Sequence, residues 1–228
     1  MADVKKEDIK IKTIPEPVLR RLPVYYQYLK KYTQENPIEY ISCTNIAEGL
    51  NLIPIQVRKD LEMTGAQGRP KVGYSVSELL KAIEDFLGWN NTTEAFLVGV
   101  GNLGSALLGY KGFKDYGLDI VAGFDANPAR IGKEINGKKI LSVKKLPDMI
   151  ERMGVKIGVL AAPTEYAQEL ADIMVRSGIK AIWNFAPHKI TVPSGIIVQH
   201  ENLASSLAVL SKRLALSLAE AKGDKAKV

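Results

Sequence analysis

Ala95-Phe96-Leu97-Val98-Gly99-Val100-Gly101-Asn102-Leu103-Gly104 joins an apolar run to a glycine-spaced turn, and a small-residue helical pattern follows from Ser105 to Tyr110. Strand, then G-x-G-x-x-G, then helix is the order of a dinucleotide-binding turn. Each glycine has its own reason. Gly99 permits the tight turn, Gly101 lets a pyrophosphate approach the backbone, and Gly104 lets the helix pack on the strand. Val100, Asn102 and Leu103 complete the run, and amides at the helix start face the phosphates. A second apolar strand, Asp119 to Asp125, ends in an acid about twenty residues past Gly104. An aspartate there hydrogen-bonds an adenosine ribose and repels a 2′-phosphate, which favours NAD over NADP; Arg130 close by softens that preference.

Strands and helices then alternate. Lys139 to Leu141, Lys156 to Ala162, Lys180 to Phe185 and Ile196 to Val198 read as strands; Val143 to Met153 and Glu165 to Ser177 read as helices. Ligands of such sheets bind beyond the carboxyl ends of the strands, which brings Ala162, Pro163, Asn184, Ala186 and Pro187 to the nicotinamide end. Those surroundings are small and apolar. A reduced nicotinamide ring carries no charge, so such a site is able to prefer NADH. Catalytic apparatus is not evident. His188 and His200 have no acid partner at motif spacing. Tyr26-Gln27-Tyr28-Leu29-Lys30 fits a Tyr-x-x-x-Lys pattern only formally, because it precedes the glycine turn.

The chain has 228 residues and a net charge of +6, with 46% hydrophobic residues. Residues 1–90 hold 13 Lys+Arg against 12 Asp+Glu, and the remainder 18 against 13, so whole-domain charge does not argue for DNA binding. No apolar run is long enough to span a bilayer, and Met1 to Lys6 lacks a signal-peptide core, so a cytoplasmic protein with no membrane partner is expected. Cys43 reads as a small partly buried side chain; it permits no internal disulfide and no metal cluster.

Ahead of the glycine turn, residues 1–14 read as a loose arm. From Val18, apolar and aromatic positions Leu19, Leu22, Tyr25, Tyr26, Leu29 and Tyr32 recur at helical spacing. Pro23 belongs near that helix's first turn, and Asn36-Pro37 ends it. Thr44 can cap a short helix ending near Gly49. Asn51 to Pro54 then turns the chain into Ile55 to Glu62, with Val57 and Leu61 inward and Gln56, Arg58 and Lys59 nearer the outside, a helix-turn-helix pattern. Gly65 to Val76 is glycine-rich and basic and alternates at Val72, Tyr74 and Val76. A β-ribbon wing would look so, with Arg69 and Lys71 reaching phosphates or the minor groove. Ser77 can cap a last helix, Glu78 to Leu87. The other reading is a small helical packing domain with exposed cations. At the far end, Asn202 to Ala221 carries Leu203, Leu207, Leu210, Leu214 and Leu218 at helical spacing, an apolar face that must bury against its own domain or a partner, before a charged tail from Gly223.

These readings predict an N-terminal winged helix (1–90), an α/β Rossmann domain (91–202) and a C-terminal helix and tail (203–228). That order resembles the Rex family of redox-sensing transcriptional repressors. The matching motifs are Arg21-Leu22-Pro23-Val24-Tyr25-Tyr26, Gln56-Val57-Arg58-Lys59-Asp60-Leu61, Val98 to Leu107, Phe124-Asp125-Ala126-Asn127-Pro128 and Asn184-Phe185-Ala186-Pro187. The resemblance implies a homodimer on palindromic double-stranded operator DNA, paired through a terminal helix exchanged between subunits. NADH/NAD is the implied cofactor, with repression when NADH is scarce and release when it binds. It adds Asn127 to the cofactor residues and Thr44 to the DNA-binding ones. It also implies a switch in which an Arg on the first helix pairs with an Asp at the start of the terminal helix, while a Tyr on the fingerprint helix competes for that Asp. Those positions are Gln27, Asn202 and Tyr110 here, so both charged partners have become amides. Two further departures are Glu62-Met63-Thr64-Gly65 after the second helix and Gly68-Arg69-Pro70-Lys71-Val72-Gly73-Tyr74 in the wing. The competing expectations are an NAD-dependent oxidoreductase with an N-terminal docking domain, and a Rex-like DNA binder whose NADH response is altered or lost.

Overall fold

The computed structural model describes residues 14–35 and 39–225, with side chains to residue 219. Residues 1–13 of the expected arm, the Asn36-Pro37 stop and the last three residues of the tail lie outside the described residues. The chain forms two compact units that meet between Asn91 and Thr92.

In the first unit, α1 (Glu16–Glu35) packs with α2 (Cys43–Leu50), α3 (Pro54–Met63) and α4 (Val76–Leu87). Leu22, Tyr25 and Leu29 of α1, Ile46 of α2, Val57 and Leu61 of α3, and Leu79 and Ile83 of α4 make its core. A two-residue ribbon, β1 (Tyr40–Ile41) with β2 (Tyr74–Ser75), runs antiparallel beside them. The structure departs from the sequence expectation here in four places. Pro23 lies well inside α1, not near its first turn, and the helix continues through it. Thr44 does not cap α2. Ser42 does, because its hydroxyl accepts from the Asn45 amide while the Asn45 side chain returns to Ser42. Likewise α4 begins at Val76, after Ser75, rather than after Ser77. The alternating Val72-Tyr74-Val76 strand shrinks to Tyr74–Ser75, since Val76 already belongs to the helix.

The second unit is a seven-stranded sheet. Its strands are β3 (Thr93–Val98), β4 (Leu118–Asp125), β5 (Glu134–Ile135), β6 (Lys138–Ser142), β7 (Ile157–Leu160), β8 (Ala181–Asn184) and β9 (Ile197–His200). They lie in the order β5-β6-β4-β3-β7-β8-β9. All pairs are parallel except β5 with β6. Without β5 this is the doubly wound Rossmann order. Apolar clusters cover the sheet, one including Phe96, Phe124 and Met174, another Leu97, Leu108 and Val159. α5 (Asn102–Gly109), α6 (Leu146–Met153) and α7 (Thr164–Arg176) supply the helical crossovers, while β4 reaches β6 through β5 and β8 reaches β9 through a loop. The strand order reverses between β3 and β7, so the crevice opens beyond Val98 and Leu160.

α8 (Leu203–Lys225) ends the chain. It runs past Ala221, through Gly223, because nothing stronger than one glycine interrupts it. Its described side chains are all exposed, and Leu203, Leu207, Leu210, Leu214 and Leu218 are between 55% and 71% so.

Candidate dinucleotide cleft and nucleic-acid interface

A cleft of about 840 Å³ opens at the switch point, between the turn after β3, the loop after β4 and the start of α7. The three glycines of the turn divide by cause. Gly99 has φ +94°, and a Cβ there would stand 2.7 Å from the Ala161 backbone. At Gly104 a Cβ would lie 1.9 Å from the Gly99 carbonyl oxygen. Packing alone therefore demands both. At Gly101 the nearest atom to a Cβ is an Arg130 nitrogen at 3.7 Å, an ordinary contact. The fold leaves that position open, which is what a close-approaching phosphate needs. Gly101 is also the N-cap of α5 and offers no side-chain cap, so the first amides of α5 keep their donors for a ligand.

Asp125 closes the other wall. Its Oδ2 accepts from the Val100 amide at 2.8 Å and its Oδ1 from the Asn127 amide at 2.7 Å. A carboxylate accepts about four hydrogen bonds, so each oxygen retains capacity for a ribose hydroxyl. Arg130 Nη1 donates to the Val100 carbonyl and lies 3.6 Å from Asp125. It thus braces the turn, and the softening of NAD preference expected of it meets a guanidinium partly occupied elsewhere. The Asn127 side chain accepts from the Ala129 amide and folds the loop back.

Of the predicted cofactor residues, Gly99, Gly101, Asn102, Leu103, Asp125, Asn127, Arg130, Ala162, Pro163 and Pro187 line the cleft. Val100 and Gly104 are buried within the turn. Asn184 does not line it. It is fully buried, donates to the His188 carbonyl and His200 Nδ1, and accepts from the Ala186 amide, so it shapes the 184–188 loop and ties β8 to β9. Ala186 is buried beside it. Tyr110 is also off the cleft wall, exposed at the end of α5 with its ring edge-on to Phe113. Phe113 meets Trp183, which meets Phe185, and Phe185 lines the cleft. Lys144 and Tyr166 line it too and were missed, since neither sits in a motif.

The first unit carries the candidate nucleic-acid face. α2 and α3 are joined by a turn in which Asn51 takes the left-handed conformation, φ 52°. Arg58 and Lys59 are exposed and Gln56 half-buried on α3; Thr44 is exposed on the first turn of α2. Arg58 lies 3.7 Å from Glu62. The wing is a tight turn in which the Val72 amide donates to the Arg69 carbonyl, Pro70 leads and Lys71 has φ 64°. Lys71 is therefore displayed at the tip at the cost of a left-handed lysine. Arg69 instead donates to the Tyr40 hydroxyl at 2.6 Å and lies over that ring.

What holds α3 in place escaped the sequence reading. Asp60 is buried inside this basic helix and takes a two-pronged ion pair from Arg21, at 2.6 and 2.8 Å, plus the Tyr25 hydroxyl at 2.7 Å. Asp60 holds Arg21 protonated beyond its ordinary range, while burial and then Asp60 push the Tyr25 phenol up. Cys43 is half-buried, its thiol pushed up chiefly by burial, which leaves it little thiolate character.

Residues 13–62 match the model of a putative DNA-binding protein N-terminus, and residues 90–188 that of a CoA binding domain. The redox-sensing transcriptional repressor Rex of Treponema denticola is 51% identical over 85% of this chain and 92% of its own. That of Bacteroides fragilis is 45% identical over 88% and 91%.

The chain belongs to the Rex family of redox-sensing transcriptional repressors. Solved Rex-family structures agree. RSP in complex with β-NAD+ and operator DNA superposes with a TM-score of 0.83 at 35% identity, over 92% of this chain and 96% of that one. RSP in complex with β-NADH gives 0.82 at 34%, over 92% and 98%. The Rex relatives are named as repressors, not enzymes, which sets the oxidoreductase reading aside.

Proposed function

We propose that this chain is an NADH-responsive repressor that binds operator DNA as a homodimer and releases it when NADH occupies the cleft. The open Gly101 position carries the cofactor part, because no contact of the protein's own requires glycine there. The resident dinucleotide would be held by the α5 amides on its pyrophosphate and Asp125 on its ribose, with Ala162, Pro163 and Pro187 around the nicotinamide. Thr44, Gln56, Arg58, Lys59, Arg69 and Lys71 face the DNA. The exposed leucine stripe of α8 supports pairing of two copies through that helix, since each fully buried leucine stabilises by about 1.5–3 kcal/mol. Gln27, Tyr110 and Asn202 take the switch positions of the family. Asn202 already accepts from the Ser205 amide at 3.0 Å, so it caps α8 and offers its amide hydrogens to a partner. A repressor of operator DNA works where that DNA is, in the cytoplasm. Among the described residues no helix is long and apolar enough to cross a membrane.

The test is operator binding by the purified protein, titrated with NADH, NAD and NADPH at fixed salt, because phosphate contacts make affinity salt-dependent. NADH is expected to weaken binding at least tenfold, about 1.4 kcal/mol of coupling, and DNA to weaken NADH equally. Absence of specific DNA binding removes the reading. Binding indifferent to NADH leaves a DNA binder without the switch.

A further inference from the structure

The outward stripe of α3 is not all polar. Val57, Asp60 and Leu61 face the core. A helix turning about 100° per residue then points Ile55, Lys59 and Glu62 directly away from it. Ile55 is 54% exposed, and Ile53, immediately before the helix, 62%. Ile55 stands one turn ahead of Lys59, at the N-terminal end of a second helix in a helix-turn-helix, the part that meets base edges.

Ile53 adds a second observation. It is the N-cap of α3 and makes no side-chain capping bond. Serine, threonine, aspartate or asparagine would stabilise that position, and a branched apolar residue does not. Local stability is given up to place two isoleucines in solvent, and such breaches gather at functional sites. The same stripe carries Lys59 and Glu62, with Arg58 beside them 3.7 Å from Glu62, so the face keeps a net positive charge, which suits a polyanion rather than an apolar protein surface.

We propose that Ile55, flanked by Ile53, reads thymine by packing its branched side chain against the 5-methyl group in the major groove. Thymine alone among the bases presents a methyl there. The proposal rests on the DNA-binding reading above. Gln56 remains free to address adenine, and Lys59 guanine or phosphate, so Ile55 supplies the discrimination that cations cannot.

The full-length protein is used to select duplexes from a random library. Each thymine of the selected half-site is then replaced by deoxyuridine, which removes the methyl alone. At one or two positions the wild-type protein is expected to lose about fourfold in affinity per half-site, the effect of exposing one buried methyl. In Ile55→Ala that loss disappears, and in Ile55→Val it is largely kept. Lys59→Ala weakens every duplex and preserves the deoxyuridine penalty. A penalty that persists in Ile55→Ala, or no thymine whose methyl matters, overturns the assignment. If no duplex is enriched, the DNA-binding reading falls and this proposal with it.

Discussion

Gly101→Ala separates ligand recognition from folding. The added methyl meets only Arg130, at 3.7 Å. Gly101 has φ −68°, a value that any residue adopts. Losing glycine at an N-cap costs a few tenths of a kcal/mol or somewhat more, and the stiffer unfolded chain offsets about 0.4–1 kcal/mol. Stability without ligand should therefore stay within about 0.5 kcal/mol of wild type. The same methyl stands where a pyrophosphate must come close, and a tenfold loss of NADH affinity is the minimum expected. At NADH one hundred times its wild-type Kd, ligand stabilises wild type by about 2.7 kcal/mol and the variant by about 1.4 kcal/mol. At roughly 4 °C per kcal/mol, the NADH-induced rise in Tm falls from about 11 °C to about 6 °C. Thermal scans with and without NADH, at one protein concentration, measure this directly. Gly104→Ala is the contrast, because its methyl strikes the Gly99 carbonyl and destabilises the unit even without ligand. A Gly101→Ala protein that keeps the full NADH-induced rise refutes the cleft assignment.

Asp60→Asn strands Arg21 beside a neutral amide, and urea unfolding should show a loss of about 3–5 kcal/mol with DNA binding lost in parallel. Tyr25 gives the pH signature: its phenol is pushed above the ordinary value near 10. The stabilisation it lends is complete below about pH 10 and lost as pH rises through the folded value, so Tyr25→Phe should shallow the alkaline fall in stability. An unchanged slope in Tyr25→Phe counts against this. Lys71→Gly relieves a left-handed lysine and should raise stability by about 1 kcal/mol while weakening DNA binding and lowering the salt slope by about one unit. Leu210→Lys breaks the middle of the α8 stripe, and light scattering should then find monomer where wild type gives dimer.

How much of this was legible depended on the range of the signal. The Rossmann half was, because β3, β4, β7 and β8 carry apolar runs with a glycine or proline within three positions of their ends, and Gly99 and Gly104 sit where local backbone contacts require them. The core positions of α3 were half legible. Val57 and Leu61 announced themselves as apolar at i, i+4 spacing, but Asp60 shares their face and is charged. Its partners Arg21 and Tyr25 lie 39 and 35 residues away in sequence, beyond any periodicity. The cap of α2 had a local signal that was overlooked, Ser42 followed three residues later by Asn45. β1 had none, since two residues carry no alternation and its partners, Tyr74 and Ser75, lie more than thirty residues away in sequence. Ile55 is hidden for the opposite reason: an apolar residue on a helix reads as part of its core.

Asp125 shows why a proposed ligand residue can be a poor probe of binding. Its two oxygens hold the Val100 and Asn127 amides, one in the glycine turn and one in the loop after β4. Asp125→Ala removes the proposed ribose acceptor and also leaves two amides of the cleft wall to find water. Asp125→Asn is no cleaner: its one carbonyl oxygen can serve one amide, and its NH2 then faces the other, donor against donor. Either variant should lose NADH affinity, and neither loss says how much belonged to the ribose. The carboxylate that would recognise the cofactor also shapes the turn that would receive its phosphates, so the two effects are coupled through a single side chain. Gly101 carries no such second duty. A methyl there meets only an Arg130 nitrogen at an ordinary 3.7 Å, and what the substitution changes is the space offered to the ligand.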